Sequence, residues 1–300
     1  MIRRSCRCAF FAAFLLAVLT SEVLGEPSDP ITSSKAITVS FWNIQWFPGR
    51  RPNASSAEEA RQTESVHRDL AQLPSDILGM EEVRDWQHAQ LAVQPLTGFK
   101  VDVCSTFPPR VGQTDAQQVA IASRMTPMSA WAEAWKAGGA ITPPRGFAFA
   151  AYEIAPKKML LVYALHLKSN RGEIHEDMRI REESMRQLIS HMGAMQNAYS
   201  KVGSLAWVLG GDFNTAPDDP RFSGEKTTRD LLGTGFDWAW KNVAPADRIT
   251  MPPDRRFPAA CFDQIFYRGG QLTRAWVAAT SPKSSDHRAV NLTLDLSTRP

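Results

Sequence analysis

"LGGDFNTAPDD", Leu209 to Asp219, continues directly from the apolar run "SLAWVLGG" and decides how the chain is read. An apolar strand that ends on an acid, a Phe and an Asn has been cut for something other than a plain turn. Gly210 and Gly211 carry no Cβ and let the backbone approach other groups closely. Asp212 and Asn214 stand two residues apart, and in an extended segment that spacing turns both side chains to one face. A carboxylate and an amide would then share one site. An Asx turn closing the strand accounts for the stretch taken alone, so the question is whether other strands end in the same way.

They do. "SFWNIQWF" places Asn43 at the end of an apolar run, "DILGMEEVRD" does the same with Glu82, and "LVYALHLKS" with His166. "CFDQIFY" sets Asp263 among apolar neighbours, and "SSDHRAV" puts Asp286 and His287 just before the last apolar run. One such residue is an ordinary cap or ion-pair partner. A whole set is hard to bury separately, because an unpaired polar group in an apolar surrounding costs on the order of a kcal/mol or more. One shared site containing a metal ion satisfies several of them at once.

The residue types restrict the chemistry. Glu82 and Asp286 are hard oxygen ligands, and with the Asn43 carbonyl and waters they suit Mg²⁺, with Mn²⁺ or Ca²⁺ as alternatives. The chain has no Cys/His spacing or HExxH for zinc, and no P-loop, GxGxxG or GxSxG. Asp212 is available as a base that positions water, His287 as a cation or acid against a phosphate, and Asp263 as the group that holds the imidazole tautomer. Together these describe metal-assisted attack of water on a phosphoester.

The order "WNIQ", "EEV", "HLKS", "GDFN", "FDQIF", "SDH" resembles the endonuclease/exonuclease/phosphatase superfamily, the DNase I-like fold, over essentially the whole chain after the leader. The resemblance implies an α/β fold, a four-layer sandwich of two packed, mostly antiparallel sheets flanked by helices, with the site where the loops of the two sheets meet. It also implies roles: Glu82 as principal Mg²⁺ ligand with Asn43 and Asp286 nearby, Asp212 orienting or deprotonating the water, Asn214 holding the phosphate, and Asp263 pairing with His287. His166 is similar to the second histidine of the DNase I and sphingomyelinase branches. The chain departs from the DNase I pattern at Gln45, where a basic residue stands, and at Gln117 or Gln118, where a Glu supports the second histidine. "EEVRD" keeps Arg84, and "PPRGFAFA" is similar to the segment with a phosphate-contacting Arg, so Arg84 and Arg145 are the substrate-binding candidates.

The rest of the chain fits this frame. With 43% hydrophobic and 22% charged residues, its 300 residues suit a globular domain and exclude disorder on the whole-chain scale. β-Branched or aromatic runs such as "VAIAS", "FAFAAYEI", "QIFYRG", "TRAWVAAT" and "AVNLTLDL" read as strands. Helical periodicity is confined to "SSAEEARQTESVHRDLAQL", with Ser55 to Glu58 as a capping box, "DWQHAQLAV" and "HEDMRIREESMRQLISHM". Strands outnumber helices, which argues for sheets packed face to face rather than a doubly wound sheet. In "MSAWAEAWKAGG" the spacing of Trp131 and Trp135 points to core packing. His67, His88, His175 and His191 read as solvated.

Residues 1–25, with a basic start and the apolar run "AFFAAFLLAVL", read as a signal peptide cut near Gly25, residues 26–36 as a linker and 37–300 as the domain. The expected protein is secreted or periplasmic, a monomer, and without stable membrane insertion. Losing the leader lowers Lys+Arg from 34 to 31 and Asp+Glu from 31 to 30, so the net field is weak and a polyanion must be held by local cations. The Arg-bearing loops, Arg50 and Arg51, Arg84, Arg145, Arg255 and Arg256, are the candidates. Cys104 and Cys261 remain, in a compartment where a bridge would persist, and the sequence leaves their pairing open. The leading functional expectation is a Mg²⁺-dependent nuclease acting on DNA. The alternatives are a phospholipid-directed phosphoesterase and a non-catalytic or toxin-subunit relative.

Overall fold

The computed structural model describes residues 36–109 and 116–297. The expected signal peptide and all of the expected linker except Ala36 lie outside the described residues.

Among the described residues twelve strands form two six-stranded sheets. The first contains β1 (Ala36–Phe47), β2 (Ile77–Val83), β3 (Lys100–Cys104), β4 (Gln118–Ser123), β11 (Gln271–Val277) and β12 (Val290–Asp295), in the order β11-β12-β1-β2-β4-β3. The second contains β5 (Ser129–Ala134), β6 (Gly146–Ala155), β7 (Lys158–His166), β8 (Ser204–Asp212), β9 (Asp237–Trp238) and β10 (Asp263–Arg268), in the order β5-β6-β7-β8-β10-β9. Each sheet has one parallel pair near its middle, β1 with β2 and β7 with β8, and is otherwise antiparallel.

Period-two alternation makes the layers. Val39 and Phe41 of β1 join Val162 and Ala164 of β7 and Val208 of β8 in a core between the sheets. The alternate residues Trp42 and Ile44 pack outward with Val66 and Leu70 of α1 (Ser56–Leu70) and Ala89 of α2 (Trp86–Ala92). Leu161, Tyr163 and Leu165 pack outward with Met185, Leu188 and Met192 of α3 (Ile174–Tyr199) and Leu231 of α4 (Thr227–Leu232). The result is the four-layer sandwich that the resemblance implies. Gly210 has a definite task in it. A Cβ there would lie 2.4 Å from the Phe41 ring, and one at Gly79 equally close, so the two glycines admit that ring between the sheets.

The Ser55–Glu58 capping box forms, with the Glu58 carboxylate accepting from the Ser55 N–H at 2.8 Å. The tryptophans of "MSAWAEAWKAGG" do pack in the core, but from an edge strand and the residue after it: Trp131 lies on β5, 4.5 Å from the Phe149 ring centre, and Trp135 is buried. Cys104 and Cys261 are free thiols. Burial pushes both up to about 12. Among the described residues no helix is long and apolar enough to cross a membrane.

Candidate active site

The parallel pairs carry polar residues to one end of the sandwich. His166 and Asp212, the last residues of β7 and β8, are register partners, and Asp263, the first of β10, is paired with Asp212 on its other side. From the facing sheet, β1 brings Asn43 and β2 brings Glu82. The β2–β4 register shifts between Glu81 and Val83, and Glu82 between them has φ 62°.

Asp212 lies at the centre. Its Oδ2 accepts from Asn43 Nδ2 at 3.2 Å and lies 3.5 Å from His166 Nε2 and 3.9 Å from His287 Nε2, while Oδ1 accepts from the Asn214 backbone N–H at 2.9 Å. His287 Nδ1 is 2.8 Å from Asp263 Oδ2, the pairing expected from the sequence. Glu82 Oε1 accepts from Asn43 Nδ2 at 3.2 Å and lies 3.8 Å from His166 Nε2. These groups stand in or directly beneath a cleft of about 460 Å³ lined by Glu82, His166, Asp212, Asn214, Asp286 and His287. Asn43 and Asp263 are buried under it.

Backbone strain is concentrated here. Of the eight non-glycine residues with positive φ among the described residues, Gln45, Trp46, Glu82, Arg145 and Asn214 line the cleft. Such conformations cost about 1–3 kcal/mol each and persist only where surrounding bonds over-determine them. Those bonds are present: the Gln45 N–H donates to Asn43 Oδ1 at 3.0 Å and the Trp46 N–H to Glu82 Oε2 at 3.0 Å.

Burial sets the charge states. It pushes Asp212 up to about 7, with Asp263 and Glu82 adding to the shift and His287 and the Asn214 N–H opposing it. For His287 burial favours the neutral ring, but Asp263, Asp212 and Asp286 outweigh it and raise the imidazole well above its ordinary value. The buried cluster therefore keeps a proton, held on His287 against Asp263, with Asp212 close to neutrality.

Glu81 belongs to this cluster and was not read from the sequence. It is fully buried on the inner side of β2, and among the described residues neither of its oxygens has a hydrogen-bond partner. Burial first, then the charges of Asp263 and Asp212, push its carboxyl well above the usual range. The signal was strand parity: Ile77, Gly79 and Glu81 alternate with the outward Leu78 and Met80, so the first Glu of "EEV" faces inward.

The donor set fits a divalent cation. Glu82, Asp212 and Asp286 face one cleft, and among the described residues no lysine or arginine pairs with any of them. The ligand atoms of Asp212, Asp263 and His287 also lie within 4.8 Å of one another, but an ion among them would displace the Asp263–His287 hydrogen bond. Glu82 and Asp286 are the hard donors that leave this bond intact, whereas Asn43 turns its Nδ2 to Glu82 and Asp212 and its Oδ1 to the Gln45 N–H.

The arginines differ from expectation. Arg84 does not line the cleft: its Nη2 donates to Glu59 at 2.6 Å and to the Pro48 carbonyl at 3.1 Å, which turns the guanidinium back onto the loop between β1 and α1. Arg50, Arg51, Arg255 and Arg256 do not line it either. Arg145 does, with donors on the His166 and Leu167 carbonyls at 2.9 and 2.6 Å, and it is joined by Arg171 and Arg221. Gln117 accepts from Arg145 Nη1 at 3.1 Å at the cleft wall, whereas Gln118 bonds Ser105 and Phe107. Gln45 Oε1 takes the Asp286 N–H at 3.2 Å, so the residue that departs from the DNase I pattern ties β1 to the loop carrying Asp286.

A partly buried chain of bonds supports the Asn214 loop. Asn170 Nδ2 donates to the Asn214 carbonyl at 2.7 Å, Arg181 Nη1 donates to Asn170 Oδ1 at 2.7 Å, and Arg181 Nη2 meets Glu225 at 2.7 Å. His191 is a correction. It packs against the rings of Trp131, Phe147 and Tyr163 rather than standing in solvent, and burial lowers its pKa.

The model of the Endonuclease/Exonuclease/phosphatase family matches residues 40–287. The chain belongs to that family. No curated protein matches it. Family likeness extends to solved structures. The endonuclease/exonuclease/phosphatase of Beutenbergia cavernae DSM 12333 superposes with TM-score 0.62 at 18% identity, covering 88% of this chain and 72% of that one. A family protein from Bacteroides thetaiotaomicron gives TM-score 0.60 at 18% identity over 86% of this chain and 97% of that one. TDP2 of D. rerio, complexed with a single-strand DNA product, gives 0.60 at 15% identity over 86% and 98%. At these identities the likeness is one of fold; it is the family match that places this chain among metal-dependent phosphoric ester hydrolases.

Proposed function

We propose that the chain is a Mg²⁺-dependent phosphodiesterase that hydrolyses nucleic acid, DNA foremost, as an exported monomer whose first 25 residues form the leader. The reading rests on one observation: a carboxylate pushed up to about 7, Asp212, lies within 4 Å of two histidine Nε2 atoms in the cleft that Glu82 and Asp286 also line. The D. rerio relative with its single-strand DNA product supports nucleic acid as the substrate class.

Glu82 and Asp286 would hold the cation, with Asn43 fixing the Glu82 carboxylate from below, and the cation would supply Lewis-acid stabilisation of charge on the phosphate oxygens. Asp212, oriented by Asn43 and the Asn214 N–H, takes the proton of the attacking water. His287, its Nδ1 fixed by Asp263, presents Nε2 to the phosphate as a donor, and the buried imidazolium stabilises negative charge building there. His166 stands beside both Asp212 and Glu82 as a second donor. Arg145 brings positive charge to the wall, and Asn170 with Arg181 keeps the Asn214 loop in place.

Incubation of the purified chain with Mg²⁺ against plasmid DNA, RNA, sphingomyelin and a phosphoinositide tests the assignment. Cleavage of DNA is expected. Turnover of the lipids alone would replace the nuclease by the phospholipid-directed alternative, and no turnover of any would favour the non-catalytic one.

A further inference from the structure

The cleft that contains the reaction groups has a second kind of lining. Met251, Phe222, Phe257 and Phe262 contribute to the same 460 Å³, with Arg171 and Arg221. Part of this wall is rigid. The Phe222 and Phe262 rings meet at 6.0 Å and 62°, and the Arg221 guanidinium lies over both, 5.4 and 5.5 Å from their centres, with its Nε on Asp219 at 3.0 Å.

Phe257 is different, because it is 58% exposed and yet held in place. The backbone N–H groups of Arg256 and Phe257 donate to Asp254 Oδ1 at 2.6 and 2.7 Å, the Asp254 N–H donates to the Phe257 carbonyl at 3.0 Å, and a Met251–Ala260 bridge closes the loop beneath them. The loop thus fixes the backbone of an exposed phenylalanine that lines the cleft.

We propose that this wall is a stacking subsite for an unpaired nucleobase next to the scissile phosphate, which makes single-stranded nucleic acid the preferred substrate. The inference rests on the nuclease reading and narrows it. A phosphate with its ester oxygens fills only part of the cleft, whose volume lies in the range of roughly 300–1,000 Å³ that accommodates small organic ligands. An exposed aromatic side chain beside rings capped by a planar guanidinium suits a flat π-system, since every base has a face to stack, whereas an acyl chain gains nothing from planarity. Arg145 and Arg171 supply the complementary charge for a phosphate backbone entering the same cleft. A base still paired inside a duplex cannot reach the wall without being flipped out.

The test uses the full chain with Mg²⁺, a short single-stranded oligonucleotide, its duplex, the same strand with an abasic residue at successive positions, and sphingomyelin vesicles. Phe257→Ala and Phe257→Trp are compared with the wild type, and unchanged melting temperatures establish that both fold. Wild type should cleave the single strand more efficiently than the duplex. Phe257→Ala should lower kcat/KM on the single strand by about tenfold, as expected for one lost stacking contact. Phe257→Trp should retain most of it. An abasic residue beside the cut should bring wild type down to the level of Phe257→Ala and cost the variant nothing more. Preference for duplex, equal losses on intact and abasic strands, or a Phe257→Ala loss confined to the vesicles would overturn the subsite. Failure of the wild type to cleave any nucleic acid would instead sink the nuclease reading beneath it.

Discussion

β7 and β8 keep their parallel register to the final pair, His166 opposite Asp212, whereas β1 and β2 lose theirs at Asn43 and Glu81, and Gln45, Trp46 and Glu82 all take left-handed φ. The two sheets therefore serve one cleft by different means. The regular side delivers the base and a histidine from strand ends whose neighbours leave them little freedom. The bulged side delivers the oxygen donors from strained backbone, held by bonds to Asn43 and Glu82 themselves. Proton transfer depends on hydrogen-bond distance and Mg²⁺ on near-octahedral oxygen ligands, so both sides must be held, one by strand register and the other by bonds that over-determine its strained backbone.

The largest effect expected on the regular side is chemical. Asp212→Asn keeps the side-chain shape, but it cannot take a proton and its NH2 must face either Asn43 Nδ2 or the Asn214 N–H, so kcat should fall by roughly 10²–10⁴ with KM little changed. Steady-state assays on a phosphodiester would show it. A variant that lost binding instead would make Asp212 a substrate contact.

Next is the support of that side. Arg181→Met leaves Glu225 buried without its partner and should destabilise by about 3–5 kcal/mol, whereas pairing it with Glu225→Leu should recover much of the loss. Denaturant titration of both variants checks this. Equal destabilisation by the single and the double would show that packing, not the ion pair, holds the Asn214 loop.

Smaller effects are expected from the acids between the two sides. In the metal-free protein Glu81 and Asp212 are raised by burial, and the charges around His287 raise it despite burial. Folding then favours the protonated forms, so the stability from these groups is present below their unfolded values and is lost as pH rises through the folded ones, about 7 for Asp212. In EDTA the melting temperature should fall from pH 5 to pH 8, and Glu81→Gln should flatten the fall by about 2–4 °C. Added Mg²⁺ should raise it more at pH 8 than at pH 5. A pH-independent melting temperature in EDTA would contradict the buried cluster.

The smallest change separates two arginines, one from each sheet. Arg84→Ala removes a contact to Glu59 and should leave cleavage of DNA within about twofold, while Arg145→Ala should weaken it by roughly tenfold, within the range for a lost charge-assisted contact. Equal effects would place Arg84 on the substrate path after all.

The strand-end residues were legible because polar side chains interrupting apolar runs need a common explanation, and Asn43, Glu82, His166, Asp212, Asn214, Asp263, Asp286 and His287 indeed meet. The edge strand "SAWAEA" was not legible, because Ala and Glu favour helix and only pairing with β6 makes it a strand. Arg171, Arg221 and Phe257 come from loops whose approach to the cleft is set by packing between distant segments, and nothing in their local sequence marks it. Arg84 misled for the converse reason: it follows the metal-side motif closely, yet a register shift and Glu59 turn it away.

Cleavage of single-stranded DNA by the purified chain, measured with Mg²⁺, with EDTA, and with EDTA followed by excess Mg²⁺, for wild type and Glu82→Gln, tests the central claim most directly. Mg²⁺-dependent cleavage that EDTA abolishes, excess Mg²⁺ restores and Glu82→Gln lacks is the result expected of a cation held on the bulged side of the cleft. Cleavage that survives EDTA, or a Glu82→Gln variant as active as wild type at the same Mg²⁺ concentration, would contradict it.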